Sequence, residues 1–165
     1  MLRVTFVRKR GYHDRVYVWR VDGSSTGWDF PAYGDALPHD LMHLVVEDEL
    51  GMPRGFWGLV DAGVDVALVD NQPTLVRGGE PIADDTDVDL EGLIEAEAVV
   101  AAWTAWTRKG ADGAERSLPD ASRGGKALAR RVRTVQAQWR DLADGGSISL
   151  TFSRKNPHGT CPAGS

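Results

Sequence analysis

The chain has 165 residues, of which 42% are hydrophobic and 26% are charged, and its formal net charge is −5. This length and composition are typical of one folded domain that buries a core without disulfides, and they exclude a disordered chain. The negative charge argues against a general nucleic-acid-binding protein, because such domains usually carry excess positive charge that neutralises phosphates.

Strands are the first elements that the sequence predicts. Val4 and Phe6 alternate with polar residues, and residues 15–21 are rich in β-branched and aromatic side chains, so these two segments should form a hairpin. A shorter extended segment is expected at residues 27–30, and apolar residues again alternate with serine and threonine over residues 147–152. Such alternation predicts an antiparallel sheet with one buried face and one wetter face.

Helices are predicted for the middle of the chain, over residues 38–50, 56–62, 87–109 and 119–143. Two short extended pieces are expected between residues 63 and 81, around a turn at 70–73. We therefore predict an α+β domain over residues 1–153. Three or four helices should cover one face of a small antiparallel sheet made by the N-terminal hairpin, the third strand and the C-terminal strand. Residues 154–165 lack large apolar side chains and are predicted to form a flexible tail.

The first predicted helix carries two of the four histidines, His39 and His43. Residues four apart lie on the same helix face, about 40° apart around the axis. Apolar residues share this sector, so we expect both imidazole rings to face inward, where each ring nitrogen needs a partner. A divalent metal would bind one nitrogen of each ring. The alternative is structural, with hydrogen bonds to backbone carbonyls or to a neighbouring carboxylate.

Three acidic residues complete the candidate site. Glu47 continues the row of histidines by one turn, and Glu97 lies among apolar residues of the third helix, where it either finds a partner or reaches water. We predict metal ligation by His39 and His43 with Glu47 or Glu97. Asp40 is the candidate catalytic residue, which positions a histidine or accepts a proton. Two histidines and a carboxylate suit zinc or iron(II), and zinc is the preferred prediction.

The HDLMH segment, residues 39–43, resembles two known signatures. Its spacing is similar to that of HExxH metalloproteases, with Asp40 in place of the catalytic glutamate. It also resembles the HDxxH signature of a ubiquinone-biosynthesis family, which implies a metal-binding, lipid-associated protein with a further glutamate at the position of Gly55. Over residues 21–63 the chain is similar to small uncharacterised bacterial proteins that pair an N-terminal hairpin with an HDLxHxxVE helix and a GFWG turn. That resemblance implies no known activity.

Two classes of function follow from these patterns. The first is a metal-dependent hydrolase with a small-molecule or protein substrate. The second is a non-catalytic interaction or regulatory domain with structural histidines, which binds another macromolecule through the exposed sheet face or the basic last helix.

The cellular location is predicted from cysteine content and hydrophobicity. The single cysteine, Cys161, has no partner for a disulfide. The sequence also contains no run of eighteen apolar residues, which a membrane span would require. We therefore expect a cytoplasmic protein.

Overall fold

A computed structural model describes residues 1–11, 13–31, 34–85, 87–108, 117–119 and 124–154. Its strands are β1 (Leu2–Val7), β2 (Asp14–Trp19), β3 (Ser25–Phe30), β4 (Asp65–Val69), β5 (Gln72–Arg77), β6 (Glu80–Pro81) and β7 (Ser147–Phe152). Its helices are α1 (His39–Leu50), α2 (Phe56–Asp61), α3 (Glu91–Arg108) and α4 (Gly125–Asp141), and a 3₁₀ turn spans Ile82–Asp84.

The larger sheet is antiparallel, with the strand order β3-β2-β1-β7. Its register pairs Val4 of β1 with Val18 of β2 on one side and with Leu150 of β7 on the other. Alternate residues of the four strands are buried, because successive side chains point to opposite faces of a sheet. The buried apolar members are Leu2, Val4, Phe6, Val16, Val18, Trp28, Phe30, Ile148 and Phe152. The predicted sheet and its fold class are confirmed.

The helices pack together around α1, which contacts α2, α3 and α4. Its central residues are almost completely buried, from Leu41 to Glu47. Aromatic rings join this layer to the sheet, since Phe6 of β1 meets Trp57 of α2 edge to face at 6.0 Å. One continuous core therefore lies between the helices and one face of the sheet, as the alternation of the strands predicts.

A smaller antiparallel sheet, β4-β5-β6, occupies the region where two short extended pieces were expected. Its first turn is formed by Asp70 and Asn71, whose φ values of 49° and 65° are those of a tight hairpin turn. The third strand was not predicted, because two residues are too short to show a periodic pattern. Apolar residues under this sheet form a satellite core of Leu59, Val64, Ile82 and Val88.

Two helix starts differ from the prediction. The third helix was expected from residue 87 but begins at Glu91, because Asp89 Oδ1 accepts the Glu91 N–H and ends the preceding turn. The last helix begins at Gly125 rather than at residue 119.

The tail predicted at 154–165 lies, apart from its first residue, outside the described residues. No helix in the described part of the chain is long and apolar enough to cross a membrane.

Candidate metal centre

The candidate site is organised by α1. The helix begins directly after Pro38, whose extended backbone precedes the first turn, and ends at Gly51 in the left-handed conformation. Side chains four residues apart then stack along one face, and His43 and Glu47 of this row have 1% and 0% of their side-chain surface exposed. His39 is 48% exposed, because it lies in the first turn at the edge of the packed layer. The expectation that His39 faces inward is wrong.

Glu97 reaches the two histidines from α3. Its Oε1 lies 3.3 Å from His43 Nε2 and its Oε2 lies 3.4 Å from His39 Nε2. Ala96 and Val100 of the same helix are fully buried, which fixes α3 beside α1. The Glu97 side chain itself is 50% exposed, so its carboxylate contacts the histidines and also reaches solvent.

His39, His43 and Glu97 together form a group that could hold a metal ion. Each offers one ligand atom, and these atoms all lie within 4.8 Å of one another. The two imidazole rings are 4.6 Å apart between centroids and inclined by 66°. The structure thus brings together three of the four residues that the sequence predicts as ligands.

Glu47, the fourth predicted ligand, lies on the other side of the His43 ring. Its Oε1 is 2.7 Å from His43 Nδ1. The same oxygen accepts the Phe56 N–H, and Oε2 accepts the Trp57 N–H, both at 2.9 Å. The carboxylate therefore joins α1 to the start of α2 and is not a member of the three-residue group.

Asp40 has a corresponding place behind His39. Its Oδ1 is 3.6 Å from His39 Nδ1, while its Oδ2 accepts the indole N–H of Trp28 at 2.9 Å. The Asp40 carbonyl oxygen also accepts the indole N–H of Trp57. Each histidine consequently has a carboxylate on its Nδ1 side and Glu97 on its Nε2 side.

Burial and charge act in opposite directions on His43. Burial lowers the pKa of its imidazole, but the hydrogen bond with Glu47 and the nearby Glu97 carboxylate outweigh burial and raise the pKa to about 9. The His43 ring beside Glu97 in turn lowers the pKa of that carboxyl group. His43 Nε2 is buried and, within the described residues, has no hydrogen-bond partner, since its contact with Glu97 lacks hydrogen-bond geometry.

Sequence reasoning did not identify the backbone groups that hold Glu47, nor the role of Gly55. A Cβ atom at Gly55 would lie 2.5 Å from Glu47 Cδ and 2.6 Å from its Oε2. The Glu47 carboxylate fills the space beside Gly55, the position at which the resemblance to the ubiquinone-biosynthesis signature implied a glutamate. The glycine of the GFWG turn was the available signal, but it predicted only a turn.

The surfaces proposed for the alternative, non-catalytic function are partly engaged within the chain. On the outer face of the larger sheet, Tyr17 and Trp19 stack at 6.1 Å, and the Arg3 guanidinium lies over the Trp19 ring. On α4, Arg131 pairs with Asp48 and Glu49 of α1 at 2.8 and 3.0 Å. The basic face of the last helix is therefore partly neutralised by α1.

Comparisons with protein-family models, with curated proteins and with solved structures gave no match. The resemblances noted for the HDLMH segment and for residues 21–63 therefore stay predictions.

Proposed function

We propose that the protein is a metal-dependent hydrolase whose divalent metal, zinc in the first instance, is bound by His39, His43 and Glu97. The observation that supports this proposal is the His43 Nε2 atom, which is buried and faces the other two ligands. A buried polar atom without a partner costs about 1–3 kcal/mol. Among the described residues, Nε2 has only its contact with Glu97 Oε1 at 3.3 Å, which lacks hydrogen-bond geometry, and a metal ion that replaced the Nε2 proton would give this atom a direct bond.

The separations between the candidate ligand atoms also fit a metal. With zinc bonds of about 2.0–2.1 Å, neighbouring ligand atoms of a tetrahedral site lie about 3.3–3.4 Å apart. Glu97 Oε1 lies 3.3 Å from His43 Nε2 and the other oxygen, Oε2, lies 3.4 Å from His39 Nε2, and one ligand atom from each of the three residues can be chosen so that all lie within 4.8 Å of one another. Because His39 and Glu97 are half exposed, small rotations of their side chains would close the site around one ion.

The exposure of the group favours a catalytic metal over a structural one. Structural zinc sites are closed by four protein ligands, whereas catalytic sites have three and leave one position for water or substrate. Here three ligands converge, and two of them reach solvent. When bound, a divalent metal supplies Lewis-acid chemistry and lowers the pKa of water to about 7.

Asp40 has a supporting role in this proposal. The sequence left two roles open, positioning a histidine or accepting a proton. Oδ2 is engaged by Trp28, and Oδ1 faces His39 Nδ1, the ring atom directed away from Glu97. We therefore favour the role in which Asp40 orients His39 so that Nε2 faces the metal.

Metal analysis of the untagged protein tests the binding step. After reconstitution with zinc and removal of excess metal, we expect about one ion per chain in the wild type. His43→Ala should lose the ion, and Glu97→Gln should bind it much more weakly. Glu95→Gln is the matched control, because Glu95 is exposed on the same helix and should leave the stoichiometry unchanged.

Activity measurements test the hydrolase itself. The zinc-loaded protein should cleave at least one class in a panel of carboxylic esters, amides and phosphate esters. That activity should disappear with chelator and in Glu97→Gln, and it should persist in Glu95→Gln. A protein that binds no metal, and whose melting temperature is unchanged by chelator, would contradict the proposal and favour the interaction domain.

A further inference from the structure

We infer that Glu47 is a positioning residue for His43 and not a metal ligand. In this assignment, which rests on the proposed metal site, Glu47 fixes the proton of His43 on Nδ1 and leaves Nε2 for the metal. The contact that carries it is the 2.7 Å separation between Glu47 Oε1 and His43 Nδ1, at side chains that are almost completely buried.

The direction of this hydrogen bond follows from the other partners of Glu47. Both carboxylate oxygens already accept main-chain N–H groups, from Phe56 and from Trp57. The oxygen that faces His43 is therefore an acceptor, and the ring nitrogen opposite it must donate. A neutral imidazole carries one proton, so with that proton on Nδ1 the lone pair lies on Nε2.

Nε2 is also the atom that the fold directs at the candidate ligands, since it lies 3.3 Å from Glu97 Oε1. Metal-bound histidines commonly donate their second ring N–H to a carboxylate, which fixes the ring orientation and raises its basicity as a ligand. His43 and Glu47 have this arrangement before any metal is considered. The pair thus holds the ring so that Nε2 is the atom left for the metal when the ring gives up one proton.

Glu47 in turn is held by α2, independently of the metal. Its carboxylate rests on the first two amides of that helix, and Gly55 leaves the space that the carboxylate occupies. For Glu47 to coordinate the metal directly, it would have to leave two buried N–H groups without an acceptor. The structure therefore opposes the ligand role that the sequence left open for this residue.

Cobalt(II) titration of Glu47→Gln tests the inference against Glu49→Gln, the same chemical change at a more exposed position of α1. We expect Glu47→Gln to bind cobalt about 10–100-fold more weakly than the wild type, the usual effect of losing such a partner. Its visible absorption spectrum should keep the wild-type shape, because the ligand set is unchanged. Glu97→Gln should change that spectrum, and Glu49→Gln should change neither quantity.

A second measurement needs no variant, and it decides the question if Glu47→Gln does not fold. Nitrogen-15 NMR of the zinc-loaded wild type should show His43 protonated on Nδ1 and metal-bound through Nε2. Zinc on Nδ1, equal cobalt affinity in Glu47→Gln, or a cobalt spectrum altered as by a lost ligand would each overturn the inference. A wild type that binds neither metal would instead overturn the proposed function itself, and the inference with it.

Discussion

At His43 and Glu47 two ionisable side chains are buried in direct contact. Burying charge is costly unless hydrogen bonds replace the lost water. Here the carboxylate receives two main-chain N–H groups and the imidazole, and these amides are at the start of α2, where a helix has N–H groups without partners inside the helix. The same residue therefore completes the start of one helix and orients a histidine of another.

Gly55→Ala tests this arrangement at a single atom. The added Cβ would collide with the Glu47 carboxylate, which cannot move without breaking hydrogen bonds to Phe56 and Trp57. We expect a loss of about 2–4 kcal/mol in the free energy of unfolding, measured by urea denaturation.

A double-mutant cycle provides the control for Gly55→Ala. In a Glu47→Ala background the carboxylate is absent, so the additional cost of Gly55→Ala should fall well below its cost in the wild type. Equal costs in both backgrounds would show that the glycine is required for another reason.

The stability of the metal-free protein should depend on pH through His43. Its pKa is 6.5 ordinarily and about 9 in the folded protein, so folding favours the protonated ring. This contribution is complete below pH 6.5 and is lost as the pH rises through about 9. With chelator present, we expect the free energy of unfolding to fall by roughly 2–3 kcal/mol across this range.

The control for this pH dependence is His43→Gln, which has no titrating group at the position. Its unfolding free energy should be lower overall but nearly constant over the same pH range. A wild type that is equally stable at both ends of the range would contradict the assignment of a charged His43 between Glu47 and Glu97.

Among the elements, α1 and β1 are each held by partners far apart in the sequence. Arg8 directly follows the last residue of β1 and is buried. Its Nη1 donates hydrogen bonds to the carbonyl oxygens of Trp139 and Arg140 at 2.8 and 2.9 Å. Its Nη2 donates to Gly34 O and Asp35 Oδ1. A cation at the C-terminal carbonyls of α4 also complements the helix dipole, so Arg8 joins the sheet to the last helix.

Arg8→Met should remove these hydrogen bonds, which join the end of β1 to the last turn of α4 and to the segment at Gly34 and Asp35. We expect a loss of about 3 kcal/mol in the free energy of unfolding. Arg8→Lys should recover only part of this, because an ammonium group cannot reach both sides of the site as the planar guanidinium does.

Arg10→Met is the matched control, since Arg10 is exposed and its one side-chain hydrogen bond in the described structure is long, at 3.4 Å. It should change stability by less than about 0.5 kcal/mol. If Arg8→Met were as mild as Arg10→Met, the link between β1 and α4 would not contribute as described.

At the scale of the whole molecule, the proposed metal joins α1 to α3. A ligand that binds only the folded state stabilises it by about 2.7 kcal/mol at a free concentration of 100 times its dissociation constant. For a protein of this size we therefore expect saturating zinc to raise the melting temperature by roughly 5–10 °C.

Two controls test whether the rise in melting temperature comes from zinc bound at the proposed site. His43→Ala should show no zinc-dependent change in melting temperature. Magnesium should have no effect on the wild type, because it prefers oxygen ligands and the group offers two nitrogens. An equal zinc shift in His43→Ala would place the binding elsewhere in the molecule.

Much of the fold follows from local patterns in the sequence. The alternation of residues 147–152 predicts β7 with its observed bounds, and Pro38 with Gly51 predicts α1 to within one residue. These predictions succeed because period, cap and turn chemistry act between residues close in the chain. The start of α3 was misplaced because two aspartates, Asp85 and Asp89, each accept a main-chain N–H two residues later, and only one of them begins the helix.

The sequence by itself determined that His39 and His43 share a helix face and that Glu97 belongs to another helix with an apolar side. It could not determine which carboxylate meets Nε2 and which meets Nδ1. That choice depends on how α3 crosses α1 and on where the Phe56 and Trp57 amides lie, and both are set by packing between distant segments. Helix geometry relates residues about four apart, and so it places His39, His43 and Glu47 in one row. The tertiary structure decides that Glu97, and not Glu47, lies beside Nε2 of His43.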